Sequence, residues 1–289
     1  MGQDLYSTYP TARTVFDEVS RAVGKDVAAL CFESTEEELR ETQNAQIALF
    51  TCGMAAFRAL DLGAAAFAGH SVGEYAALAA AQVVTLADGA RLVERRGEVM
   101  AAAGGQRPGT MAAVLGLERQ ELEVVCASVE GTCVIANDNC PGQLVISGDV
   151  NAVQAASALA VERGAKRALP LNVSGAFHSP LMEDPAREMA VALRTVEFGT
   201  GTAPVYSNVT ARPVDDPTQW PDLLERQLKS PVLWTGSVHN MISDGFDTFV
   251  ECGAGEVLSG LIRRIDRDAK CFRVVDPATL EETRAALSG

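Results

Sequence analysis

The segment Gly69-His70-Ser71-Val72-Gly73 stands between a short apolar run, Ala64 to Ala68, and a helix-prone stretch, Glu74 to Ala81. That order reads as strand, sharp turn, helix. Glycines on both sides of the serine allow a tight turn that projects the hydroxyl. The adjoining helix N-terminus offers backbone N–H groups, with Val72 N–H as one donor for an oxyanion. A serine hydroxyl is a weak nucleophile at neutral pH and needs a base within hydrogen-bond reach. Without such a base the same residues are only a glycine-rich turn carrying a surface serine.

The search for a base is short, because the chain has three histidines, His70, His178 and His239. His70 adjoins Ser71, so its side chain points away from the serine and reads as a local hydrogen-bonding group of the substrate site. His239 lies in a helix-like segment, where a satisfied or surface histidine is the ordinary case. His178 lies in the turn-rich Ser174-Gly175-Ala176-Phe177-His178-Ser179-Pro180, at a junction between two organised regions. Loops at such junctions are where functional residues concentrate. Ser71 and His178 are therefore the expected catalytic pair.

Helix-like spacing of apolar residues covers 11–24, 42–62 and 85–103. The run Gly104-Gly105-Gln106-Arg107-Pro108-Gly109 is the strongest breaker in the chain and marks a domain junction. Beyond it the pattern is strand (111–116), helix (118–128), strand (132–136), turn (137–142), strand (143–147), helix (149–163), strand (166–171). This is the βαββαβ order of a split βαβ unit. The chain then returns to alternation. Helices are expected after Ser179, near 220–228, after Ser237 and from Glu256, with strands near Val205 and at Thr248 to Glu251. Alternation of this kind points to a mainly parallel sheet covered by helices. The expected fold is α/β, a hydrolase-like core of residues 1–106 and 175–289 with an inserted ferredoxin-like α+β subdomain at 107–174.

With 289 residues, 47% of them hydrophobic, the chain can bury a substantial core. Met1 to Pro10 contain no charged leader followed by an apolar run, and no apolar stretch reaches spanning length, so a cytoplasmic protein without membrane insertion is expected. Seven scattered cysteines fit reduced thiols. Cys126, Cys133 and Cys140 recur every seven residues, but without a nearby histidine they read as structural thiols and no metal is expected. A net charge of -14 argues against nucleic acid as a partner.

Several separated blocks together carry a family resemblance. Gly69-His70-Ser71-Val72-Gly73-Glu74-Tyr75, then Arg96-Gly97 about one helix later, the Gly175 to Ser179 block, and Gln227-Leu228 with Pro231-Val232 occur in the order seen in malonyl-CoA:acyl carrier protein transacylases. The chain resembles that family over nearly its full length. The resemblance implies a ping-pong reaction in which Ser71 takes malonyl from malonyl-CoA and passes it to the phosphopantetheine thiol of acyl carrier protein, in fatty acid biosynthesis. His178 is then the base, and the Gln227 backbone carbonyl orients it. Arg96 pairs with the malonyl carboxylate, a task its planar fork suits. Phe177 resembles the residue that accompanies malonyl preference. A monomer with no bound cofactor is implied as well.

The resemblance fails at the start. Members of the family usually begin with a short buried strand and a Gly-Gln-Gly-Ser-Gln segment whose glutamine N–H is a second oxyanion donor. Here Met1-Gly2-Gln3-Asp4-Leu5-Tyr6 resembles what normally follows that segment, so Gln3 is not the oxyanion glutamine; two explanations compete, a truncated start, which is the favoured expectation, and a protein that works with one oxyanion donor. Alternatives are a trans-acting polyketide acyltransferase, a serine acyl hydrolase using the same Ser71 and His178, and a silent scaffold that binds carrier protein. Carrier proteins are generally acidic, so docking on a chain of this charge needs a local basic patch. Lys166 and Arg167 are the candidates.

Overall fold

A computed structural model describes residues 1–106, 108–173 and 175–287. Arg107 and Ser174, which fall at the two expected domain junctions, lie outside the described residues.

Eight strands occur among the described residues: β1 (Phe67–Ala68), β2 (Gly109–Leu115), β3 (Cys133–Cys140), β4 (Gln143–Asp149), β5 (Arg167–Pro170), β6 (Val205–Tyr206), β7 (Thr248–Cys252) and β8 (Lys270–Val274). Strands β2 to β5 form one antiparallel sheet in the order β3-β4-β2-β5. Its alternation is visible in the packing. Ala112, Val114, Ile135, Leu144 and Ile146 turn to helices Arg119–Ser128 and Val150–Glu162 and form an apolar cluster drawn wholly from residues 112–165. Met111, Ala136 and Val145 face the other way, into the large core. Strands β2, β3 and β4 thus bury two faces, as a sheet sandwiched between helices and a core must, while β5 is an exposed edge.

The remaining strands depart from the expected single parallel sheet. They pair in parallel, but as two separate pairs, β1 with β6 and β7 with β8. Alternation along the chain reports strand direction and helical cover; it does not report which strands become neighbours. The large core is mainly helical. Helix Pro10–Val23 buries Ala12, Val15, Phe16 and Val19, the i, i+3, i+4, i+7 face. That face and the inner sides of helices Thr42–Leu60 and Leu86–Gln106 share one cluster.

Short elements escaped the sequence reading. Helices Gln3–Thr8, Val27–Glu33 and Glu36–Arg40 are five to seven residues long, too short to display a period. Tyr6, Phe16 and Phe32 pack ring to ring and hold the first two of these against the core. The turn expected through 137–142 shrinks to Pro141 and Gly142, because β3 continues to Cys140 through two register shifts. Those bulges let Ala136 and Asp138 pair with Val232 outside the sheet. Among the described residues, no helix is long and apolar enough to cross a membrane.

Candidate active site

The elbow is built where β1 ends. Its two residues pair with β6, and Gly69 then turns so tightly that an added Cβ would lie 2.0 Å from the Gly73 backbone. Only glycine fits there. Ser71 follows with φ 53°, a left-handed conformation, and helix Gly73–Ala80 starts two residues later. Holding a serine in that region costs on the order of 1–3 kcal/mol and needs support from its surroundings.

His178 occupies a second left-handed position, φ 56°. Its loop is fastened to the end of helix Trp220–Lys229, whose last carbonyls lack intrahelical partners. The His178 backbone N–H donates to Leu228 O at 3.0 Å, and its Nδ1–H donates to Gln227 O at 2.8 Å. A carbonyl can only accept, so Nε2 is the unprotonated nitrogen. It lies 2.8 Å from Ser71 Oγ and can take the hydroxyl proton. Burial and the nearby Arg96 charge push the His178 pKa down to about 3, so the imidazole is neutral at pH 7.

Arg96 comes from helix Leu86–Gln106 and is only 1% exposed. Its Nη2 donates to Ser71 Oγ at 2.9 Å and to Gln227 Oε1 at 3.0 Å, and its Nη1 donates to Gln46 Oε1. Its Nε has no partner among the described residues. A permanent cation thus faces Ser71 through neutral amides and a hydroxyl. The nearby carboxylate, Glu74, is fully buried; burial pushes its pKa up to about 7. It accepts from Asn208 N–H at 2.9 Å and from Gln227 Nε2.

The sequence-predicted residues divide between this cluster and its periphery. Ser71, His178, Arg96 and Gln227 converge, and Gln227 does more than expected. Besides its carbonyl on His178, its side chain donates to Ser71 O at 3.0 Å. Val72 is the N-cap of helix Gly73–Ala80, and no hydrogen-bond partner for its N–H is found among the described residues. His70 turns away from Ser71, with Nε2–H donating to Asn139 Oδ1 at 2.8 Å and its ring tilted against Trp234. Phe177 is buried in the large core cluster beside His178. Lys166 and Arg167 are exposed at the Leu115 end of the β2–β5 pair, whereas the site adjoins the Gly109 end, where Gly109 touches Ala176. The seven-residue cysteine recurrence separates: Cys133 Sγ contacts Cys126 Sγ at 3.7 Å, while Cys140 belongs to another cluster.

Gln46, Asn139 and Asn208 join the cluster without belonging to any of the sequence motifs, and Glu74 belongs to one only as the residue after Gly73. Glu74 had a signal, a lone carboxylate opening an otherwise apolar helix. Asn208 had none, since only the β1–β6 pairing brings it to the elbow.

A serine on a strained turn, a neutral histidine with its free nitrogen on the hydroxyl, and a buried cation beside both define a serine acyl-transfer site. The comparisons agree. The family model described as acyl transferase domain matches residues 1–276. The malonyl CoA-acyl carrier protein transacylase of Bacillus subtilis (strain 168) is 42% identical over 287 residues, covering 97% of this chain and 90% of the relative. Among solved structures, an acyl-carrier-protein-S-malonyltransferase from Bartonella henselae superposes with a TM-score of 0.95 at 40% identity, covering 100% of this chain and 95% of that one. A malonyl-transacylase solved in complex with a type II PKS acyl-carrier protein gives a TM-score of 0.95 at 36% identity, covering 99% and 94%. This chain belongs to the acyl transferase domain family and, within it, to the malonyl CoA-acyl carrier protein transacylases.

Proposed function

We propose that the protein transfers a malonyl group from malonyl-CoA to the phosphopantetheine thiol of acyl carrier protein, in fatty acid biosynthesis, through an ester on Ser71. The observation that carries this reading is the Arg96 guanidinium, buried and 2.9 Å from Ser71 Oγ, with no carboxylate on any of its nitrogens among the described residues. A neutral acyl chain has no use for such a cation; the free carboxylate of malonyl does.

In the first half-reaction the Ser71 hydroxyl gives its proton to His178 Nε2 as Oγ attacks the thioester carbonyl. The Val72 N–H stabilises the oxyanion. Collapse of the tetrahedral species breaks the carbon–sulfur bond, and His178 returns the proton to the departing coenzyme A thiolate. In the second half-reaction the carrier's thiol gives its proton to His178 as its sulfur attacks the ester carbonyl; collapse breaks the bond between the acyl carbon and Ser71 Oγ, and His178 returns the proton to Oγ. Arg96 also couples recognition to chemistry. Its charge lowers the basicity of His178 in the free protein, and a bound carboxylate offsets that charge, so a carboxylated acyl group meets a stronger base. His70 and Phe177 line the acyl site, Gln227 orients His178, and no resident cofactor enters the scheme.

The finer fold reading is a hydrolase-like core of residues 1–106 and 175–289 with a ferredoxin-like insert at 107–174. It is supported by the β3-β4-β2-β5 order with one helix after β2 and one after β4. A cytoplasmic monomer is the accompanying reading, and seven free cysteines suit a reducing compartment.

The two half-reactions, measured separately, test the proposal. The protein should discharge malonyl-CoA and pass the group to holo but not apo carrier protein. Exchanging Lys166 and Arg167 for glutamate should raise the carrier KM about three- to tenfold while loading is unchanged. Discharge to water with no product on the carrier would mean a hydrolase, and equal loss in both half-reactions would remove Lys166 and Arg167 from the docking surface.

A further inference from the structure

The parallel β1–β6 ladder stops at the Ala68–Tyr206 pair, one residue short of the elbow. Backbone bonds from Gly73 N–H to His70 O and from Glu74 N–H to Ser71 O start the following helix. They leave Gly69 O and Ser71 N–H, the groups on either side of His70, to be satisfied by a side chain. Asn208, two residues past the end of β6, supplies both. Its Nδ2 donates to Gly69 O at 2.7 Å and its Oδ1 accepts from Ser71 N–H at 2.7 Å. One amide group therefore closes a ring across Gly69-His70-Ser71 and continues the ladder where the backbones diverge.

Asn208 is itself held from both sides. It is 1% exposed, its N–H donates to Glu74 Oε1 at 2.9 Å, and its carbonyl accepts from Leu233 N–H at 2.9 Å. The other Glu74 oxygen accepts from Gln227 Nε2, and the same Gln227 nitrogen donates to Ser71 O at 3.0 Å. The circuit is closed: the N–H of Ser71 leads through Asn208 to Glu74, and the C=O of Ser71 leads through Gln227 to the same carboxylate. A left-handed serine persists only where its surroundings over-determine it, and here both of its peptide groups are tied to one buried anchor.

We infer that Asn208 is a positioning residue for the nucleophile, fixing the left-handed backbone of Ser71 through its side-chain amide, with Glu74 as the buried anchor that fixes Asn208 and Gln227 together. This rests on the reading of Ser71 as the residue that takes the acyl group. Among the described residues Asn208 bonds to neither Ser71 Oγ nor the His178 ring. It acts on where Oγ stands relative to His178 Nε2, and a displacement of about 1 Å at such a site costs about 10²-fold in rate.

The test uses Asn208→Ala, which removes both contacts, and the isosteric Asn208→Asp, which keeps the acceptor for Ser71 N–H but loses the donor to Gly69 O. Two rates are read on each folded variant: Ser71 loading at saturating malonyl-CoA, and phosphonylation of Ser71 by a small fluorophosphonate that needs no malonyl contacts. Thermal unfolding is followed alongside. The expected result is a fall of about 10²-fold in both rates for Asn208→Ala and a smaller fall for Asn208→Asp, with the malonyl-CoA KM changed less than about threefold. A residue that only supported the fold would lower the unfolding temperature and leave the rates of folded protein unchanged. Either folded variant reacting within about twofold of the parent in both assays overturns the inference, as does a loss confined to KM. A parent protein that neither loads nor reacts with the fluorophosphonate would instead overturn the reading of Ser71.

Discussion

The antiparallel sheet of β2 to β5 and the parallel pair that leads into Ser71 are built on opposite terms. In the sheet, seven consecutive residue pairs join β2 to β4, and the helices over one face come from the same stretch of chain. At the elbow, two residue pairs join β1 to β6, and the contacts that hold Ser71 reach 25, 107, 137 and 156 residues away, to Arg96, His178, Asn208 and Gln227. The sheet draws its order from neighbours in sequence. The elbow keeps two left-handed non-glycine residues, Ser71 and His178, face to face, and its order is imposed from four separate parts of the chain. Stability and placement are thus assigned to different regions.

The sharpest way to break this comparison is to put the same methyl group into a backbone contact in each region. At Gly69 a Cβ would lie 2.0 Å from the Gly73 backbone, and at Gly148 it would lie 1.8 Å from Thr132 O. Gly69→Ala should cost malonyl loading at least about 10³-fold, because the elbow opens and Ser71 leaves its base. Gly148→Ala should cost on the order of 1–3 kcal/mol in unfolding stability while folded molecules load within a few-fold of the parent rate. Loading rates together with denaturant midpoints check both, and an inactive but folded Gly148→Ala protein would show that the two regions are not separable.

A smaller effect sharpens the same contrast through pH. His178 is pushed down to about 3 in the folded protein against about 6.5 when unfolded, so between these values the unfolded chain binds the extra proton. Its contribution therefore makes stability fall as pH drops from about 6.5 toward 3, by about 1.4 kcal/mol per pH unit for one proton. Glu74 runs the other way. Raised to about 7, it is protonated in the folded state where the unfolded carboxyl is ionised, so its contribution is full below about 4.5 and is lost as pH rises through about 7. Replacing His178 with glutamine, which cannot titrate, removes the first contribution and leaves that of Glu74, so the slope of stability against pH, measured by urea unfolding from pH 5 to pH 6.5, should fall by up to about 1.4 kcal/mol per pH unit. An unchanged slope would mean that His178 is not buried as a neutral base.

The same division explains what could be read from sequence. The order of elements between 109 and 170 was legible because strands of four to eight residues alternate with helices that carry their own period. Ser71, His178, Arg96 and Gln227 were legible as parts of motifs, although their meeting point was not. Asn208 and Gln46 were invisible, because an asparagine after a two-residue strand and a glutamine inside a helix have no periodicity or spacing to set them apart. They acquire roles only when β6 lies beside β1 and when helix Thr42–Leu60 lies against helix Leu86–Gln106. The two parallel pairs in place of one sheet are a miss of the same kind, since strand adjacency is a tertiary fact. Helix Pro277–Leu287 is different: Asp276 caps it through Thr279 N–H and Pro277 starts it, a local signature present in the sequence.

The central claim is that Ser71, set by the elbow and faced by Arg96, takes a carboxylated acyl group as an ester. Intact-mass spectrometry after brief incubation with malonyl-CoA, beside acetyl-CoA and beside Ser71→Ala and Arg96→Ala variants, tests it most directly. The account predicts one malonyl adduct on the parent protein, none on Ser71→Ala, and a preference for malonyl over acetyl that Arg96→Ala loses. An adduct that survives in Ser71→Ala, or equal malonyl and acetyl loading with Arg96 intact, would contradict it.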